Sequence, residues 1–249
     1  MTDILDPPLL TYPVCGVPIA ALDASRAAAQ IVESAVAGES LQVHLCNAYT
    51  LSLVDRDARM RAALHAGDLN LADGAPGAWL GRANGAAGPV RGAVLVGEVW
   101  RQGGAQLRHY LYGGKDGVAG EMADALRAIS PDAVVAGTET PPFRMLTDAD
   151  LDALVERVRA SGANILWIGL GTPRQDYLVH RLSESLSMPI VPVGAAFDFW
   201  SGAVKEAPKL LHGSGFEWMH RLAIEPRRLW RRYLLGNPRF VLTAWRHRR

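Results

Sequence analysis

Ile165-Leu166-Trp167-Ile168-Gly169-Leu170-Gly171-Thr172-Pro173-Arg174-Gln175-Asp176 is the stretch whose reading decides the fold. Four consecutive large apolar residues closed by glycine read as a buried strand, and Pro173 suits the first position of a helix. The helix is expected over 174–187, and a further apolar run at 190–193 reads as the next strand. A strand, a helix of ten or more residues and a second strand form a right-handed crossover, the unit of a parallel sheet.

The same alternation extends outward. Strands are expected at 42–46, at 69–72 ending in Asp73-Gly74, at 108–112 stopped by Gly113-Gly114, and at 133–136. Helices are expected over 48–66, with Leu51, Val54, Ala58, Ala62 and Ala63 on one side, and over 117–129 and 151–160. The pattern predicts an α/β class: a Rossmann-like, mostly parallel sheet with helices on both faces. Residues 83–92, rich in Gly and Ala, read as a flexible connection, and residues 202–215 as a linker to a basic C-terminal helical appendage. The expected organisation is a body at 1–202 and an appendage at 203–249.

Composition bounds the function. At 249 residues and 49% hydrophobic, the chain can bury a full core. It has no apolar run of the roughly 18 to 20 residues that cross a bilayer and no basic region at its start, so a cytoplasmic protein is expected. Cys15 and Cys46 have neither metal-ligand nor disulfide-framework spacing, and no zinc, haem or iron-sulfur signature is visible. The net charge of +1 hides a strong asymmetry: residues 203–249 carry 11 Lys+Arg against 3 Asp+Glu, and residues 1–202 carry 15 against 22. A tail of +8 on a body of −7 points to an anionic partner for the tail.

Ligands of such sheets bind outside the carboxyl ends of the strands, which makes the loops there the candidate site. Gly169 to Gln175 combines two glycines, Thr172 as N-cap and Arg174 at a helix N-terminus. It suits an anion as well as it suits a capped turn. Its glycine spacing is neither a dinucleotide fingerprint nor a P-loop. Asp73-Gly74 is a turn by itself, but on this edge its carboxylate would serve as a general base. Asp198 either binds a ribose hydroxyl or caps a turn, and Asn47 is a helix N-cap. In the tail, Phe216, Met219 and Leu222 recur at helical spacing. Pro226 then starts a second helix in which Leu229, Trp230, Tyr233 and Leu234 share a face opposite Arg228, Arg231 and Arg232. A basic helix with Trp and Leu suits an anionic membrane surface. Nucleic acid is the rival partner, disfavoured because no recognised module is present, and a solvated helix packed on the body is the plain structural alternative.

These residues resemble the WecG/TagA/CpsF family of bacterial glycosyltransferases, glycosyltransferase family 26, collinearly over residues 14–240. The resemblance rests on Asp73-Gly74, on Gly169 to Asp176, on Gly194-Ala-Ala-Phe-Asp198-Phe with Gly202 and Ala207-Pro208, and on the tail. The tail carries Glu217-Trp218, Arg221-Leu222, Glu225-Pro226-Arg227-Arg228-Leu229 and Arg232-Tyr233. It implies an inverting, metal-independent transferase without a cofactor, moving a sugar, N-acetylmannosamine-type or hexose, from a UDP-sugar. The acceptor would be a polyprenyl-diphosphate-linked sugar, in cell-surface polysaccharide or teichoic acid synthesis.

By that resemblance Asp73 is the base, Asn47 matches the substrate-binding asparagine of the first motif, Gln175 lies near the nucleotide sugar, and Asp198 is on the uridine side. Gly113, Gly114, Gly171, Thr172 and Arg174 complete the substrate loops. Arg221, Arg227, Arg228, Arg231 and Arg232 would hold the acceptor diphosphate at the inner face of the membrane. Three departures from the family pattern stand out: Leu45 in place of a threonine, Pro89 and Val94 in place of an arginine and an aspartate, and Glu206 in place of an arginine. Arg91, two residues from the missing arginine, is the candidate substitute. A nucleotide-dependent oxidoreductase, a non-catalytic binding paralogue and a homo-oligomeric assembly all stay open at this point.

Overall fold

The computed structural model describes residues 9–85, 88–208, 211 and 214–248. Eight strands form a single sheet: β1 (Thr11–Val14), β2 (Val17–Ala20), β3 (Leu41–Cys46), β4 (Leu69–Ala72), β5 (Arg108–Gly113), β6 (Val134–Glu139), β7 (Ile165–Gly169) and β8 (Pro189–Pro192). Their order is β1-β2-β4-β3-β8-β7-β5-β6. Only the β1–β2 hairpin is antiparallel; β2 through β6 pair in parallel. The mostly parallel Rossmann-like sheet expected from the alternation is therefore present. The hairpin is an addition that strands of four residues around Cys15-Gly16 did not announce.

Helices cover both faces. On one face α1 (Ala24–Ala37), α5 (Gly92–Gly103), α6 (Val118–Arg127) and α9 (Ala196–Trp200) enclose a core with Ile31, Val99, Trp100, Met122, Trp167 and Phe197. On the other, α7 (Asp148–Ala160) and α8 (Arg174–Ser183) pack Leu154, Val158, Val179 and Leu182 onto Tyr112, Ile168 and Ile190. Local chemistry sets the boundaries. Asp23 caps α1 by accepting from Arg26 N at 2.8 Å, Gly38 ends that helix in the left-handed conformation, and Thr147 and Asp150 form a reciprocal capping box on α7.

The helix expected over 48–66 is two helices, α2 (Ala48–Ser52) and α3 (Ala58–Ala66). Asp57 starts the second by accepting from Arg59 N and Met60 N, both at 3.0 Å, a local cap that outcompetes continuation of the first. Of the stretch read as a connection, residues 83 and 84 belong to a 3₁₀ turn (Arg82–Asn84) that follows α4 (Ala75–Gly81), residues 88–91 are in no helix or strand, and α5 begins at Gly92. Residues 86 and 87 of that stretch lie outside the described residues, as do 209, 210, 212 and 213 of the expected linker. Both cysteines are buried and unpaired, and burial pushes the Cys15 thiol up to about 12.

The tail folds as α10 (Glu217–Ile224), α11 (Pro226–Trp230), a π-helical turn at Arg231–Leu235 and α12 (Gly236–Arg246). Helix α12 returns to the body and lies against α2. Phe240 joins a cluster with Tyr12, Val14, Cys46, Leu51 and Met60, and Asp55 receives His247 Nε2 at 2.9 Å and Arg246 Nη1 at 3.5 Å. The third tail helix is thereby tied to the sheet by buried apolar contact, and α10 and α11 span between the linker and this anchor.

Candidate active site

A cleft of about 1320 Å³ runs along the carboxyl edge of the sheet and is roofed by the tail helices. Each expected loop contributes to it: Asn47 after β3, Asp73 after β4, Gly114 after β5, Gly171 to Gln175 after β7, and Gly194 to Asp198 after β8. From the tail come Glu217, Arg221, Glu225, Leu229, Arg231 and Arg232.

Asp73 comes directly after β4, and its backbone N–H donates to the Cys46 carbonyl at 3.1 Å, which aligns it with the end of β3. Asn47 does two jobs from there. Its Oδ1 caps α2 by accepting from Tyr49 N and Thr50 N, both at 3.1 Å, and its Nδ2 donates to Asp73 Oδ2 at 3.3 Å. Asp73 is partly accessible from the cleft, but the protein packed around it makes a charged carboxylate costly. Burial therefore lifts its pKa above the usual carboxylate range, with Glu217 adding to the lift; the Asn47 hydrogen bond, Arg232 and Arg221 pull the other way. A raised pKa makes this carboxylate a better proton acceptor than an exposed aspartate.

The glycine loop differs from expectation at its helix start. Thr172 does not cap α8: the cap position is Pro173, after a cis Thr172–Pro173 bond, and the Thr172 hydroxyl faces Thr50 Oγ1 at 3.4 Å. The loop closes on itself instead. Gly171 N donates to Gln175 Oε1 at 2.9 Å, and Gln175 N donates to the Gly171 carbonyl at 3.2 Å. Gln175 is buried and acts as the loop's internal clamp, with part of the expected amide supply consumed. Arg174 is exposed and lines the cleft, as does Lys115 on the neighbouring loop, so positive charge there comes from side chains more than from free amides. Behind the loop, fully buried Asp176 accepts from His44 Nδ1 at 3.1 Å, which locks α8 to β3.

Gly113 does not line the cleft. A Cβ built on it would stand 2.5 Å from the Gly169 Cα, so glycine is there because β5 and β7 approach too closely for a side chain. Gly114 does line the cleft, and its φ of +74° is the left-handed conformation that glycine supplies without strain.

The tail arginines divide. Arg221 lines the cleft with its guanidinium 5.5 Å from the centre of the Phe199 ring, and Arg232 lies 5.2 Å from that of Tyr49, with burial lowering its pKa. Arg231 also lines the cleft, Arg227 is exposed outside it, and the side chain of Arg228 lies outside the described residues. The expected common face of Leu229, Trp230, Tyr233 and Leu234 is broken. Leu229 is buried while Trp230, next to it in α11, and Leu234, within the π turn, are exposed. Arg232, which lines the cleft, is itself a residue of that turn.

Arg91 lies in the cleft wall, 15% exposed. Its Nε donates to Glu217 at 3.0 Å and its Nη2 to Glu206 at 2.6 Å. One body arginine thus clasps both the linker and the first tail helix. Glu206, the departure from the family pattern, is half of that clasp. Sequence reasoning did not reach this pairing, nor the contributions of Tyr49, Lys115, Asp116 and the Thr140 to Phe143 loop. Among the described residues no group of three or more His, Cys, Asp or Glu is placed to hold a metal ion, and no helix is long and apolar enough to cross a membrane.

The Rossmann-like sheet thus carries, on its carboxyl edge, a cleft that joins a carboxylate of raised pKa to several cationic side chains. The sequence profile of the glycosyl transferase WecG/TagA/CpsF family matches residues 12–249, and the chain belongs to that family. It is similar to the N-acetylglucosaminyldiphosphoundecaprenol N-acetyl-beta-D-mannosaminyltransferase of Bacillus spizizenii strain W23, at 29% identity over 143 residues, 57% of this chain and 53% of the relative. The chain spans about half the length of the curated relative it matches.

Proposed function

We propose that this protein is an inverting glycosyltransferase that moves a sugar, of the N-acetylmannosamine type or a hexose, from a UDP-sugar to a polyprenyl-diphosphate-linked sugar. The observation that carries the reading is the pairing of Asp73, a carboxylate with a raised pKa held by Asn47, with Arg221 and Arg232 at the same place in the cleft. Family membership and the substrate class in the name of the Bacillus relative support it.

In this reading Asp73 takes the proton of the acceptor hydroxyl as that oxygen attacks the anomeric carbon. The UDP leaves from the opposite face, and a single displacement inverts the centre. Negative charge grows on the departing diphosphate, and Arg174 and Lys115 offset it with fixed positive charge, without a metal or another cofactor. Arg221 and Arg232 serve the acceptor diphosphate, which reaches the site under the tail.

The tail is also the membrane-facing part. Trp230, Leu234, Leu235, Val241, Leu242 and Trp245 are exposed beside Arg227, Arg231 and Arg246, a composition suited to the headgroup region of an anionic leaflet. The protein then works as a peripheral enzyme on the inner face of the membrane, its acidic body toward the cytoplasm.

The test is a thermal-shift panel of UDP-sugars followed by transfer of radiolabelled sugar to a short-chain polyprenyl-diphosphate N-acetylglucosamine. Stabilisation by UDP-N-acetylmannosamine or a UDP-hexose, with transfer of the same sugar and inverted anomeric configuration, is the expected result. Stabilisation by NAD and none by any UDP-sugar would assign the chain to oxidoreductase chemistry instead.

A further inference from the structure

Tyr49 stands where the short helix after Asn47 meets the tail. Its backbone N–H donates to Asn47 Oδ1 at 3.1 Å, the side chain whose Nδ2 holds Asp73, and its carbonyl accepts from Ser52 Oγ at 2.7 Å. The root of the ring is therefore fixed in the same frame as the candidate base. The ring itself lines the cleft.

Two tail residues meet that ring. The guanidinium of Arg232 lies 5.2 Å from its centre, within the range of a cation–π contact. Four residues on, Gly236 begins α12 with its backbone against the same ring, and a Cβ built on it would stand 3.1 Å from Tyr49 Cδ2. Gly236 has φ −69° and ψ −45°, ordinary helical values, so its conformation does not require glycine. Glycine is a poor helix former, and the close approach of the ring accounts for it here.

The manner in which Arg232 is held decides what it can do. Among the described residues no carboxylate forms an ion pair with it, and its Nε is buried without a hydrogen-bond partner. Arg91 is the contrast, bonded to both Glu206 and Glu217. A carboxylate would neutralise a guanidinium and consume its donors, whereas an aromatic ring holds it by its charge and leaves the N–H groups to a ligand. Arg232 is also one of the charges that favour the ionised form of Asp73. The ring that seats it therefore bears on the ligand and on the base together.

We propose that Tyr49 is a positioning residue that seats Arg232 beside Asp73, in register to receive the acceptor diphosphate, an inference that rests on the transferase reading above. Asp73 is faced by Asn47, by Arg221 and Glu217 from α10, by Arg232 from the π turn, and by the Cys46 thiol at the end of β3. Arg221 rests on Phe199; Arg232 is the cation that Tyr49 holds. Releasing it removes a charge that opposes the burial of Asp73, so the carboxyl becomes harder to ionise.

The experiment compares the full chain with its Tyr49→Leu and Tyr49→Phe variants. Leucine keeps apolar bulk and loses the π face; phenylalanine keeps the face and loses the hydroxyl. Amide hydrogen exchange is followed over residues 231–236 without substrate, and transfer to the short-chain polyprenyl-diphosphate acceptor is measured across pH. Tyr49→Leu should exchange faster over 231–236 and raise the acceptor KM roughly tenfold. It should leave the donor KM and the plateau kcat near the parent's, and move the acidic limb of kcat/KM to higher pH. Tyr49→Phe should follow the parent throughout. A loss of folded protein alone would lower the apparent kcat and leave the acceptor KM and the limb in place. Parental exchange in Tyr49→Leu, or a parental acceptor KM and limb, would overturn the proposal, as would a Tyr49→Phe that fails as leucine does. A parent that transfers no sugar would overturn the transferase reading beneath it, and the exchange data would then decide the seat by themselves.

Discussion

Replacing Asp73 with asparagine separates two consequences of enclosing a carboxylate at this position. The amide keeps the shape and, through its oxygen, the hydrogen bond that Asn47 Nδ2 now gives at 3.3 Å. It removes the charge and the ability to accept a proton. General-base catalysis is worth about 10² to 10⁴ in rate, and at 1.36 kcal/mol per decade this is about 3–5 kcal/mol of barrier. Stability should move the other way. The folded pKa of Asp73 lies above its unfolded value because burial outweighs the Asn47 bond and the Arg232 and Arg221 charges. Its contribution to folding is therefore fully present below the unfolded carboxylate value of about 3.9 and is lost as pH rises through the folded pKa. At neutral pH the parent carries this cost and the asparagine variant does not. Each kcal/mol relieved is worth about 2–4 °C in Tm for a chain of this size. The assay is transfer of radiolabelled sugar to the short-chain acceptor, with thermal melts at pH 7 and pH 4. The variant should melt higher at pH 7, the gap should narrow at pH 4, and the acidic limb of the kcat/KM profile should disappear with the activity. Transfer at the parental rate removes Asp73 as base; a lower Tm at pH 7 refutes the burial argument.

Arg91→Ala should cost on the order of 1 kcal/mol, because it removes the ion pairs of a largely buried guanidinium with exposed Glu206 and partly buried Glu217, and should open the tail to protease near residue 216. Adding Glu206→Gln should recover part of the loss; an unchanged melt and cleavage pattern would show the clasp to be inconsequential. Gly113→Ala should destabilise by about 1–3 kcal/mol through overpacking against the Gly169 backbone, and a variant that melts with the parent would contradict the close approach of β5 and β7. Trp245→Glu, outside the cleft and exposed, should reduce flotation with anionic liposomes while leaving UDP binding unchanged. Undiminished flotation would move the membrane face elsewhere.

Much of this could be read from the chain alone, for a physical reason. A buried parallel strand is a short apolar run, a crossover helix is a longer periodic one, and glycines mark where the backbone turns. Residues 165–193 therefore declared the class, and the loop positions of Asp73, Asn47, Gly114 and Gly171 came from the edge on which such sheets bind ligands. Local signals also misled. The apolar periodicity over 48–66 ran across a helix break that the Asp57 cap decides, and Gly113 looked like a substrate glycine when its neighbour across the sheet is what requires it.

The sequence by itself determined the strand and helix alternation, the loops that carry chemistry, and the concentration of positive charge in the tail. Only the tertiary structure decided what each charge does: Arg232 lines the cleft from within a π turn, Arg91 is bound to two glutamates more than a hundred residues away, and Phe143 is left bare at the cleft. Periodicity says which residues share a face within one element. It carries no information about which distant face comes to meet them, and the pairing of charges and the enclosure of a carboxylate are set by that meeting.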